Sequence, residues 1–415
     1  MEQQSWSLVY YSATATDMTS LAQGVRKYLD EGGRVKIIAR TRQQFFDSAQ
    51  KKRFLHSCLH SDAIIISLHG GSASFPLFDE LMDALDALPA ASRPFLHIQP
   101  TSGDEDSILA AEKYSPEFGS ELWQSCRLFI ERGGYLNFHQ LCLWLYNHLF
   151  KAQLPCKAPI QQRNEGIYHP DMPVDISLDD YLARLQPGRI TVGIWFYQTF
   201  WLNNNLAFID GLIRAVEAEG ANVIPVFHLR FKESSRGNHG ADYVVDHFFM
   251  DGDTPRIDVL LNPMLFSLVL ASPDYTGLLP KLGVPFLQAM VSMGSYEKWS
   301  TSTQGMGSME VSFNAAQPEF DGALISVPIA TREENEIDPL TGALLYRYLP
   351  IADRVEKLAR LAINWGRLRC LRHNKRRVAI IFHHYPPRDD RIGCAAGLDS
   401  FASVVSLLDD FAAQG

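Results

Sequence analysis

The chain has no Gly-x-x-x-x-Gly-Lys-Ser/Thr loop, so nothing in it matches the motif that cradles ATP phosphates, and ATP hydrolysis by this chain is not expected. No Gly-x-Gly-x-x-Gly follows the first strand-like run, which leaves a dinucleotide cofactor unsupported. There is no Gly-x-Ser-x-Gly nucleophile elbow either. Cysteine is sparse and scattered (Cys58, Cys126, Cys142, Cys156, Cys370, Cys394), with no Cys-x-x-Cys pair, which favours reduced thiols over a disulfide framework. No apolar run approaches the roughly 20 residues of a membrane span. The polar start, Met1-Glu-Gln-Gln-Ser-Trp, does not read as a secretory leader, and a cytoplasmic protein is expected. An excess of positive charge is also missing. The net charge is −9, which argues against nucleic acid or an anionic membrane surface as a partner.

What is present is ordinary for a globular chain of 415 residues, with 46% hydrophobic and 20% charged residues, long enough for two to three domains. Residues 1–150 alternate strand and helix. Ser7–Tyr11, Val35–Ala39, Ala63–Leu68 and Phe95–Ile98 read as strands. Asp17 is placed to cap a helix running to Leu29, Arg42–Ser57 is helical by period, and Pro76–Leu88 is a helix with proline at its start. This rhythm predicts an α/β fold with a parallel, flavodoxin-like sheet. Helices follow from Glu117 to Leu149. His69-Gly70-Gly71 leaves the carboxyl end of the third strand, where open sheets place ligands; a plain tight turn is the alternative. His56, Cys58 and His60 sit within one helical turn, but nothing nearby completes a metal site.

Residues 151–188, rich in proline, read as an interdomain connector. A second α/β unit is expected over 189–372, with strands at Thr191–Phe196, Asn222–Phe227, Val259–Leu261 and Pro285–Gln288 and a helix at Leu206–Glu219. Ser234–Gly240 reads as loop. Between Pro285–Gln288 and the apolar run Ala323–Ile329 lie about thirty residues, read as a long functional loop over 289–322. It holds Glu297, Glu310, Glu319 and Asp321 beside Tyr296 and Trp299, a mixture that suits a pocket for a flat apolar ligand; a surface loop pinned by its aromatics is the alternative. Ile351–Arg372 is a long helix. Val378–Phe382 reads as a strand and Phe401–Ala413 as a helix, the start of a third unit over 373–415. The chain stops where an earlier helix-to-strand step would repeat, so it is expected to be the N-terminal part of a larger multidomain protein.

Four stretches resemble the large subunit of ATP-dependent class I chelatases, the family of the cobaltochelatase large subunit and the magnesium-chelatase H subunit. They are Val192-Gly-Ile-Trp-Phe-Tyr197, Gly283-Val-Pro-Phe-Leu-Gln288 with Trp299 and Gly305 downstream, Pro318-Glu-Phe-Asp-Gly322, and Phe382-His-His-Tyr-Pro-Pro387 through Gly393-Cys-Ala-Ala-Gly-Leu-Asp399. The resemblance covers 190–415 well and the first 150 residues loosely. It implies a subunit that binds a tetrapyrrole (a hydrogenobyrinate-type corrinoid or a porphyrin) and a divalent metal as substrate, Co2+ or Mg2+. It also implies partner AAA+ ATPase subunits that use the ATP. His384 stands where Asn is common, Phe320 where Leu is common and Cys394 where Ser or Asn is common, which leaves metal and macrocycle open.

Metal insertion requires removal of two pyrrole N–H protons and stripping of water from the cation, work suited to carboxylates and imidazoles. The resemblance therefore points to Glu319 and His383 as catalytic residues. Glu319, His383 and His384 become metal contacts, and His69, Tyr197, Gln288, Glu297, Trp299 and Tyr385 substrate contacts. A non-enzymatic tetrapyrrole carrier, a haem-dechelating relative and a two-lobed small-molecule receptor are the alternatives.

Overall fold

A computed structural model describes residues 4–101, 103–229, 232 and 237–414. Ser234–Arg236, part of the expected Ser234–Gly240 loop, lie outside the described residues. In the first lobe, strands β1 (Trp6–Ser12), β2 (Val35–Thr41), β3 (Ala63–Leu68) and β4 (Phe95–Pro100) form a parallel sheet in the order β2-β1-β3-β4. Alternation along each strand sends Leu8, Tyr10 and Ile65 into one core and Val9, Tyr11, Ile64 and Ile66 into the other. The β3 run is apolar throughout because both faces are covered, and every one of its residues is buried. The first core is closed by helices Met18–Asp30 and Gly134–Phe150. Each large side chain buried there contributes about 1.5–3 kcal/mol.

Asp17 does not cap the first helix as expected. Its side chain makes no cap hydrogen bond and instead accepts the Tyr10 hydroxyl at 2.5 Å. Burial raises the Asp17 carboxyl above its ordinary value, against the opposing hydrogen bonds from Tyr10 and Ser12.

The second lobe is a larger sheet built from β5 (Glu165–Ile167), β6 (Thr191–Tyr197), β7 (Asn222–His228), β10 (Val259–Asn262), β11 (Phe286–Ser292), β12 (Leu324–Ile337) and β13 (Leu344–Pro350). A two-stranded ribbon, β8 (Met250–Asp251) with β9 (Thr254–Pro255), lies between β7 and β10 in sequence. The sheet order is β13-β12-β11-β10-β6-β7-β5, with the five central strands parallel and both edge strands antiparallel. Its strand order reverses between β6 and β10, the position where doubly wound sheets open a crevice at their carboxyl ends. One face packs on helices Ala207–Ala218 and Ala352–Cys370, the other on Ala241–Val244 and Leu278–Leu282. The long helix approaches β6 closely at Gly366, where a Cβ would stand 2.7 Å from the Ile190 side chain.

The lobes are joined by a hairpin. β12 and β13 run past the second sheet, and Ala343, Leu345 and Tyr346 are buried in the core of the first. The Ala39 amide on β2 donates to the Thr341 carbonyl at 2.8 Å. The connector 151–188 is more structured than a linker. It supplies β5 and the helix Leu178–Leu182, and the buried Tyr181 hydroxyl donates to the Val223 carbonyl at 2.9 Å.

Two segments differ from their expected form. Segment 289–322 is not a structureless loop. β11 continues to Ser292, and short helical turns follow at Tyr296–Thr301, Ser308–Val311, Ser312–Ala316 and Gln317–Phe320. Val378–Phe382 is not a strand in the described structure. No neighbouring strand pairs with it there, and no residue beyond Trp365 belongs to any of the hydrophobic clusters among the described residues. The helix Ser400–Gln414 has no buried residue. No described helix is long and apolar enough to cross a membrane.

Candidate functional site

The carboxyl ends of the parallel strands lead into four of the expected residues, His69, Tyr197, Glu297 and Trp299. On the first sheet, His69-Gly70-Gly71 does leave β3 with both glycines at positive φ. Its amides are already occupied. Gly70 N–H donates to Asp104 Oδ2 at 3.3 Å, Gly71 N–H to the Ser107 hydroxyl at 3.0 Å, and Ser72 N–H to Asp106 Oδ2 at 3.1 Å. A Cβ on Gly71 would lie 2.2 Å from Asp106 Oδ2, so glycine is required for this carboxylate to approach. The loop therefore binds the start of the helix that follows β4, Glu105–Tyr114, where an anionic ligand would otherwise sit. His69 is exposed, with Nδ1 3.4 Å from the Thr101 hydroxyl, and stands on a different lobe from the other expected residues.

At the reversal point of the second sheet, Tyr197 and Gln288 are spent on structure. The Tyr197 hydroxyl donates to the Leu265 carbonyl at 2.9 Å and accepts its amide at 3.1 Å. Gln288 is fully buried. It accepts Asn262 Nδ2 at 2.7 Å and donates to the Met264 carbonyl at 2.8 Å. Asn262 in turn accepts the Met264 amide at 3.2 Å. These bonds satisfy every buried amide group of the pair and lock the turn after β10. Both residues shape the crevice wall without presenting a free polar group to a ligand. Asn262, which sequence reasoning passed over, is the partner that makes this so; its only signal is a polar residue closing an apolar strand before Pro263.

The four carboxylates of segment 289–322 divide into two kinds. Glu310 accepts the Ser292 hydroxyl at 2.8 Å, the Met293 amide at 2.5 Å and the Gly307 amide at 2.7 Å. Asp321 accepts the Ser267 hydroxyl at 2.6 Å and the amides of Leu268 and Val269 at 2.7 and 3.1 Å, so it caps the helix Leu268–Ala271 from a distant part of the chain. Glu297 and Glu319 are exposed, and neither carboxylate has a hydrogen-bond partner among the described residues. Both are thus available to a ligand. Within Pro318-Glu-Phe-Asp-Gly322, Asp321 faces the protein, whereas Glu319 and Phe320 face solvent.

Glu297 lies on the helix Tyr296–Thr301, capped by Ser295. Its neighbours Tyr296 and Trp299 have ring centroids 5.8 Å apart, and the Arg354 guanidinium sits 5.6 Å from the Trp299 ring. Such a cation–π contact contributes about 0.5–1 kcal/mol when exposed and fixes the indole plane. The Tyr296 amide donates to Glu333 Oε1 at 2.8 Å. Tyr296, Glu333, Glu336 and Arg347 border a cavity of about 410 Å³ between this helix and the β12–β13 hairpin. Glu333 and Arg354 were not anticipated, because each acts across tens of residues with no local motif.

His383, His384 and Tyr385 lie on the exposed C-terminal segment. His384 Nε2 is 3.0 Å from the Arg388 carbonyl, and the His383 and Tyr385 rings are 6.4 Å apart. Neither histidine belongs to the 410 Å³ cavity, and nor does Glu319. Among the described residues no three His, Cys, Asp or Glu side chains are grouped as a metal ion would need. The expected set Glu319, His383 and His384 is therefore not brought together. The physical reason is that the segment carrying the two histidines shares no hydrophobic cluster with the second lobe, where Glu319 sits on the short helix Gln317–Phe320.

A family model described as CobN/Magnesium Chelatase matches residues 127–415. An uncharacterised protein of Methanocaldococcus jannaschii is 32% identical over 292 residues, 68% of this chain and 24% of that protein. The aerobic cobaltochelatase subunit CobN of Pseudomonas aeruginosa is 28% identical over 366 residues, 86% of this chain and 27% of its own. The H subunit of magnesium chelatase from Rhodobacter capsulatus is 30% identical over 276 residues, 62% of this chain and 22% of its own. The chain thus spans about a quarter of the length of these relatives. In fold it is similar to a solved structure described as the catalytic subunit of cobaltochelatase from Mycobacterium tuberculosis, with TM-score 0.59, 20% identity, and coverage of 99% of this chain and 31% of that one. With the family match running over well more than half of its residues, the chain belongs to the CobN and magnesium-chelatase H family of chelatase subunits.

Proposed function

We propose that this chain forms part of the tetrapyrrole-binding large subunit of an ATP-dependent chelatase, which inserts a divalent metal into a corrinoid or porphyrin. Cobalt is favoured over magnesium, and separate AAA+ subunits use the ATP in the cytoplasm. The observation that carries this reading is the family match over residues 127–415, joined to two unpaired carboxylates, Glu297 and Glu319, on the segment that follows β11. The absence of a phosphate loop from the sequence agrees with ATP use elsewhere.

In this reading Glu319 accepts a pyrrole proton or hands over the metal, since an exposed carboxylate does either without first breaking a structural bond. His383 and His384 act beside it only if the C-terminal segment folds over the second lobe when the macrocycle binds. Trp299, its plane fixed by Arg354, offers a stacking face, and Tyr385 offers a second. Residues 1–150 and 189–372 serve as two lobes of the subunit, and 373–415 begins a third. A tetrapyrrole carrier without insertion activity is the second reading, favoured by the separation of Glu319 from the two histidines.

An absorbance titration of the complete subunit with a metal-free porphyrin and a metal-free corrinoid tests the shared element, and a shift of the macrocycle bands is expected. Cobalt or magnesium insertion on adding the ATPase subunits then distinguishes enzyme from carrier. No band shift with either macrocycle would contradict both readings.

A further inference from the structure

A cavity of about 480 Å³ opens on the first lobe where β2, an edge strand, meets the tip of the β12–β13 hairpin. It lies apart from every residue assigned above to metal or macrocycle. Its lining sets two arginines, Arg40 and Arg53, beside three phenylalanines, Phe45, Phe46 and Phe54. Arg40 Nη1 is anchored, donating to the carbonyls of Ala39 and Gly342 at 2.7 and 2.8 Å. Gln44 is held as well, with Nε2 donating to the Gly342 carbonyl at 2.9 Å and Oε1 accepting the Leu344 amide at 3.2 Å. The wall is thus built by both lobes together and its cation is fixed in place.

The charges are not balanced. Among the described residues no carboxylate is paired with Arg40 or Arg53. Both arginines line the same cavity, and burial, then the Arg53 charge, push the Arg40 guanidinium below its ordinary value. Arginines placed this way usually face a carboxylate or phosphate, which their planar fork matches. Phe46, beside them, is 82% exposed, although an apolar ring gains nothing from standing in water. Phe45 packs on Phe54 at 5.1 Å and on Tyr11 at 6.1 Å, which gives the apolar side a firm backing.

We propose that this cavity binds an organic anion in which a carboxylate is attached to a flat apolar body, with the carboxylate at Arg40 and Arg53 and the body against Phe45 and Phe46. The anion offsets the charge of the two arginines, and the ring covers Phe46. A volume of this size admits one or two fused rings. Inorganic ions would meet the charge and leave the phenylalanines in water.

Isothermal titration with 2-naphthoate and its uncharged analogue 2-naphthylmethanol tests this. The wild-type chain is expected to bind 2-naphthoate saturably at one site, about tenfold more tightly than the alcohol. Arg53→Gln should abolish that preference, and Phe46→Ala should weaken both ligands. Both residues are exposed, so the variants should melt at the wild-type temperature, which separates lost binding from lost folding. The proposal is overturned by no saturable binding of 2-naphthoate, by equal affinity for acid and alcohol, or by undiminished 2-naphthoate binding in Arg53→Gln.

Discussion

Asp321 accepts the hydroxyl of Ser267 at 2.6 Å across 54 residues of chain, and the same carboxylate caps the helix that Ser267 begins. A motif that reads in sequence as an acidic pair beside a turn is therefore one structural acid and one exposed acid. Asp321→Ala strands one hydroxyl and two amides in a buried place. A loss of about 2–3 kcal/mol is expected, read from the urea midpoint. Glu319→Gln, on the exposed side, should stay within about 0.5 kcal/mol of wild type. Equal effects would deny this division of labour.

Asn205, in the segment after β6, fastens the edge strand β13 within the second lobe. Its Nδ2 donates to the Tyr346 carbonyl at 3.1 Å, and its Oδ1 accepts the Tyr348 amide at 2.9 Å. Asn205→Ala frees that amide on an edge strand. Hydrogen exchange at Tyr348 should accelerate by about tenfold while β6 and β7 keep their protection. Unchanged exchange at Tyr348 would mean that β12 alone holds the strand.

His97 supplies a pH test. It is fully buried on β4, with Nε2 2.9 Å from Gln99 Oε1, and burial, aided by the Arg127 charge, lowers its imidazole from the usual 6.5 to about 4. The folded chain keeps the ring neutral, whereas the unfolded chain takes up a proton below about pH 6.5. The unfolded state thus binds more protons between these values, so stability is full above 6.5 and falls as the pH drops towards 4. The loss is at most about 3 kcal/mol. His97→Gln should remove this portion of the acid sensitivity, as measured by urea unfolding at pH 7 and pH 4.5. Parallel losses in both proteins would rule His97 out as the source.

Much of the architecture was legible because it rests on local pattern. Ala63–Leu68 could only be a strand covered on both faces, and the helix stop at Gly220 leads straight into β7. The second sheet extends further than expected, since β12 runs on through polar residues Thr331–Glu336 that the β13 pairing holds extended. Val378–Phe382 has the same apolar pattern as a true strand, but pattern alone does not supply a neighbour to pair with. The site was less legible. Gln288 and Tyr197 look like ligand contacts at strand ends, yet their polar atoms are taken by Met264 and Leu265, and no local signature announces those partners. His69-Gly70-Gly71 reads as an open cradle until Asp104 and Asp106 are seen to fill it.

The central claim is that the exposed Glu319 on the segment after β11 takes part in moving protons or metal at the macrocycle. The most direct test is the rate of cobalt or magnesium insertion by the complete subunit carrying Glu319→Gln, assayed with its ATPase partners and at matched macrocycle affinity. Removal of an acid–base group predicts a fall of about a hundredfold with folding and tetrapyrrole binding intact. Insertion at the native rate would contradict the claim.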